Sequence, residues 1–112
     1  MPPLFFLPGQ AMPQKTVLIA PAFPAQNAEA VGIVCSSALE QALPQTALLL
    51  SVPGDGFPRM PTARRVLQTV MEFSAAHPQV TVSLLCPDET VLAAYRFQWN
   101  MWYQAEHPEE LH

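Results

Sequence analysis

Apolar runs suited to strands alternate with amphipathic stretches, and this alternation restricts the fold more than any other feature of the chain. The runs are KTVLIAPA from Lys15, TALLLSV from Thr46 and VTVSLLC from Val80, all of which read as buried strands. A shorter run, LFFL at Leu4 to Leu7, ends in Pro8-Gly9 and suits an edge strand. In NAEAVGIVCSSALEQAL, the residues Ala28, Val31, Val34, Ala38, Leu39 and Ala42 recur at helical spacing, with Glu29, Ser36, Glu40 and Gln41 largely elsewhere. Asn27 suits its N-cap and Pro44 stops it. The stretch TARRVLQTVMEFSAAH repeats the pattern through Ala63, Val66, Leu67, Val70 and Phe73, with Pro61 tolerated near its start. A last helix, PDETVLAAYRFQWNMWYQ, opens on Asp88 and Glu89, whose charge suits the positive end of the helix dipole.

The order is then β, β, α, β, α, β, α. Strands joined through helices pair in parallel by right-handed crossovers, which predicts a small three-layer α/β/α domain with a mostly parallel sheet and helices on both faces. Half of the 112 residues are apolar and 12% are charged, so a packed core is expected despite 13 prolines. Residues 1–112 read as one domain, with 1–14 a divergent N-terminal segment and 104–112 a polar tail.

Charge and composition narrow the partners. A net charge of -4 argues against nucleic acid, whose backbone is bound by clustered Lys and Arg. Cys35 and Cys86 have no CxxC spacing, and each sits in an apolar stretch where a buried thiol is at home. His77, His107 and His112 show no metal-ligand spacing. No apolar run approaches the roughly 20 residues needed to span a bilayer, and MPPLFFLPGQ lacks a basic leader; a cytoplasmic location without membrane contact is the expectation.

Four blocks in this order resemble the C-terminal half of a macrodomain, the fold that commonly binds ADP-ribose. They are LPGQAMPQKTVLIAPAF, EAVGIVCSSALEQAL, ALLLSVPGDGFPRMPTARRVLQTVMEF and HPQVTVSLLCPDETVLAAY, which together cover roughly residues 7 to 95. The resemblance implies that Ser51, Gly54, Asp55, Gly56 and Phe57 belong to a phosphate loop and that Pro87 lies on the adenine side. It also implies weak binding of ADP-ribose or a related nucleotide, with no cofactor. The family's first half, with its adenine-gripping Asp and first glycine-rich loop, has no counterpart in this sequence. Pro53 replaces the first loop glycine and has no amide to offer, and Asp55 would repel a nearby phosphate.

Bland readings stand beside these. Gly54-Asp55-Gly56 is either a phosphate cradle or a tight strand-to-helix turn that uses glycine for positive φ. Arg59, Arg64 and Arg65 either draw an anion to the loop or form a solvated helix face. Ser51 has no nucleophile elbow or base partner, and Asp55 lacks a second carboxylate, so no catalytic residue is assigned. Were the chain an enzyme, the resemblance would make it a hydrolase of ADP-ribose derivatives. On the last helix, Val91, Tyr95, Trp99 and Trp102 fill one side and leave Phe97 and Met101 displaced from it. The alternative function is therefore a non-catalytic interaction protein that self-associates, or binds a partner chain, through Tyr95, Phe97, Trp99 and Trp102.

Overall fold

The computed structural model describes residues 3–6 and 15–106, apart from the side chains of Tyr103 and Glu106. Expectations for Leu7, for 7–14 of the N-terminal segment and for 107–112 of the tail fall outside these residues, as do His107 and His112. The elements are β1 (Leu4–Phe6), β2 (Val17–Ile19), α1 (Ala28–Ala42), β3 (Ala47–Ser51), α2 (Arg59–Ala76), β4 (Thr81–Leu85) and α3 (Glu89–Glu106). The expected order is the observed one. α1 starts where Asn27 accepts a hydrogen bond from the Ala30 amide at 2.8 Å. α3 starts where Asp88 accepts one from the Val91 amide at 3.0 Å.

The four strands lie in the order β1-β4-β3-β2, with β2, β3 and β4 parallel and β1 antiparallel to β4. The molecule is thus an α/β domain with a mostly parallel sheet. Cross-strand partners share a face, so Phe5, Leu84, Leu50 and Ile19 form one row, and Phe6, Ser83, Leu49 and Leu18 form a row on the other side. The first row enters a single core with Val31, Cys35 and Leu39 of α1, Val66, Leu67 and Val70 of α2, and Leu92 and Tyr95 of α3. The Phe5 ring meets Tyr95 and Trp99 at 6.1 and 6.5 Å between centroids.

α1 packs along α2, and α2 along α3, so the three stand side by side over the Phe5 row. For α1 and α2 the reason is topological: right-handed crossovers that advance in one direction, β2 to β3 to β4, return both helices to the same face. On the opposite row Ser83, in the middle, is buried. The ends of that row, Phe6 and Leu18, are 38% and 57% exposed.

Candidate functional site

In open α/β sheets ligands bind outside the carboxyl ends of the strands. Here the carboxyl ends of β3 and β4 lead into the segments that start α2 and α3, and the Val52 amide ties the first to the second by donating to Leu85 O at 3.1 Å. Beyond Val52 the chain turns sharply. The Phe57 amide donates to Gly54 O at 3.2 Å, and Gly56, third in the turn, holds φ at 87°. A left-handed residue at that position is what a type II turn demands, and glycine adopts it without steric cost. α2 follows at once, with Pro58 at its N-cap making no side-chain hydrogen bond.

The residues expected to form the site divide into three groups. Gly54 and Pro87 come together: a Cβ on Gly54 would stand 2.8 Å from Pro87 Cγ. Asp55 and Gly56 are exposed at the tip, where Gly56 adjoins the Gln26 amide group from the segment before α1. Ser51 faces away, whereas Phe57 stays beside Gly54. Ser51 pairs with Leu85 in register on the sheet face away from the helices, and Phe57 packs edge-on against Phe23 with 6.0 Å between centroids. The arginines do not converge on the loop either. Arg59 borders it, Arg64 is exposed, and Arg65 reaches Glu29 of α1 at 3.4 Å.

Beneath the turn lies a cavity of about 10 Å³, walled by Pro53, Gly54 and Phe57 of the loop, Arg59 and Thr62 of α2, and Val91 and Tyr95 of α3. Thr62 and Tyr95 are both buried, hydroxyls included. Burial drives the Tyr95 phenol well above its usual 10.0, so it stays protonated. At the start of α3, the Thr90 hydroxyl and the Val91 amide hold Asp88 below its usual 3.8, with Arg59 adding to the effect. A larger groove of about 500 Å³ runs between α1 and α2 past Gly32, Ser36, Glu40, Arg65, Thr69 and Phe73. It mixes both charge signs, and His77 lies 3.5 Å from Glu40 beside it.

Cys35 and Cys86 are unpaired in the core, where burial pushes each thiol to about 12. Among the described residues no three His, Cys, Asp or Glu groups gather as a metal site, and no helix is long and apolar enough to cross a membrane. No family model, curated protein or solved structure matches this chain. The macrodomain resemblance therefore rests on the sequence blocks alone.

The aromatic helix resolves residue by residue. Tyr95 is buried, and Trp99 and Trp102 pack partly buried against the core. Phe97 and Met101 point outward. The sequence does not mark Gln26, Thr62 or Tyr95 as neighbours of the loop. The signal available for Gln26 was topological, since every strand-to-helix connection of a parallel sheet opens at the same end.

Proposed function

We propose that this chain is a non-catalytic interaction module that pairs with a second copy of itself through the outward ridge of α3. The observation that carries the reading is that Phe97 and Met101, one turn apart, are 57% and 51% exposed while their helix is fully engaged on its other side. Two such ridges crossing antiparallel set Phe97 of each copy against Met101 of the other. That is the self-complementary contact of a two-fold dimer, and thioether-aromatic contact favours it. Unpaired thiols suit a reducing compartment, so the reading includes a cytoplasmic location. Sedimentation velocity at tens of micromolar tests it: wild type sediments as a dimer, whereas Phe97→Glu and Met101→Glu sediment as folded monomers. A wild-type monomer at that concentration sinks the reading.

A second reading follows from the macrodomain resemblance, with weak binding of ADP-ribose or a related nucleotide at the 51–58 loop. What favours it is the glycine turn that opens α2 at the carboxyl end of β3, with Arg59 beside it. Because the cavity beneath is only about 10 Å³, a phosphate would rest on the outer side of the turn, against the amides of Asp55 and Gly56. Titration calorimetry with ADP-ribose gives saturable heat in the millimolar range if this holds. Absence of heat there rejects it.

A further inference from the structure

Arg64 and Arg65, which do not converge on the glycine turn, meet elsewhere. Among the three helices a groove of about 390 Å³ is walled by the first turns of α1 and α2, by Arg64, Arg65 and Gln68 of α2, and by Gln98 of α3. α1 and α2 each lead from one parallel strand to the next, so they run the same way and bring their positive dipole ends to the groove together. The first turn of α2 carries no acidic residue to offset its end. Arg65 is placed by a close helix approach, since a Cβ on Gly32 would stand 2.6 Å from its Cγ, and Glu29 holds it at 3.4 Å. Arg64 is exposed and has no ion-pair partner among the described residues. A second, independent feature lies on α3. Gln98 is 7% exposed and finds no hydrogen-bond partner among the described residues, yet its carboxamide atoms keep accessible surface, and the groove is the opening that it lines. That carboxamide offers the groove a donor and an acceptor.

We propose that this groove binds a small organic oxyanion, a carboxylate or phosphate carried on a compact apolar body. The planar fork of Arg64 takes the oxyanion, and the Gln98 carboxamide nitrogen donates to one of its oxygens. Met60 and Pro61 back the apolar body. Arg65, engaged by Glu29, adds positive charge at the wall. The site depends neither on pairing through α3 nor on the 51–58 loop.

Two-dimensional NMR of the full chain tests it, with phenyl phosphate, benzoate and inorganic phosphate as probes and sodium chloride at matched ionic strength as control. Phenyl phosphate or benzoate shifts the Gln98 side-chain amide and the Arg64 Nε–H resonances saturably at millimolar concentration, and the tighter of the two identifies the head group. Inorganic phosphate, which lacks the apolar body, binds more weakly. Arg64→Gln, a change at an exposed position, weakens binding about tenfold through loss of a charge-assisted hydrogen bond. No saturable shift with either organic probe, shifts that chloride reproduces, or an unchanged affinity in Arg64→Gln would each overturn the proposal. Inorganic phosphate binding as tightly as phenyl phosphate would reduce the groove to a charged patch and overturn it too. Shifts confined to the amides of Asp55 and Gly56 would place the anion at the loop and reject the groove.

Discussion

Replacing Gly56 with alanine separates the demands of the turn from those of any ligand. Gly56 holds φ at 87°, and an L-residue in the left-handed region costs about 1–2 kcal/mol. The added methyl would stand 2.7 Å from Gln26 Nε2, but that atom ends an exposed, flexible side chain that can swing aside. Alanine also restricts the unfolded chain, which returns about 0.4–1 kcal/mol. The net loss is about 1 kcal/mol, read as a lower urea midpoint at unchanged slope and a melting temperature lower by about 5 °C. The same loss is expected when the substitution is made in a Gln26→Ala background. A neutral Gly56→Ala, or a loss that vanishes without the Gln26 side chain, would refute the assignment to backbone conformation.

Gly54→Ala drives a methyl against the rigid Pro87 ring, 2.8 Å from Cγ, and is expected to destabilise by about 1–3 kcal/mol; Pro87→Ala restores much of the loss in urea unfolding. Asp88 caps α3 with its carboxyl held below the usual 3.8, so its contribution to stability is full above that value and fades as pH falls through the lower folded value. Asp88→Asn should therefore flatten the acid limb of a stability-versus-pH curve, and an unchanged limb would count against the cap. Cys35 and Cys86, with thiols pushed to about 12, should resist iodoacetamide at mildly alkaline pH in the native protein and alkylate on unfolding. Rapid native labelling would contradict their burial.

Element order was legible because the apolar period switches cleanly between strand and helix. Asn27 and Asp88 marked helix starts through their side-chain chemistry, and the predicted core face of α2 is the buried one. Boundaries were less legible. β2 is confined to Val17–Ile19 within a longer apolar run, as befits an edge strand followed closely by Pro21 and Pro24. α2 begins at Arg59, before the expected TARRVL, because a proline in the first turn gives up no helical hydrogen bond. The shared face of the helices depends on strand order, which periodicity does not carry. At the loop, the need for glycine was visible in GDG. The arrival of Tyr95 and Thr62 at one cavity was not, since it depends on how α3 seats beside α2.

The pairing of β1 with β4, which sets Leu4 opposite Leu85, reverses the order in which a ribosome delivers the parts. Among the described strands β1 emerges before the others, yet its ladder partner β4 emerges after them, and the rings that cover Phe5 emerge later still, on α3. At about 5–20 residues per second, β2, α1, β3 and α2 are synthesised while that strand waits unpaired. Translation halted before β4 therefore leaves Phe5 and Phe6 as an uncovered handle for chaperones and proteases, whereas a halt after α3 leaves the Phe5 handle already put away.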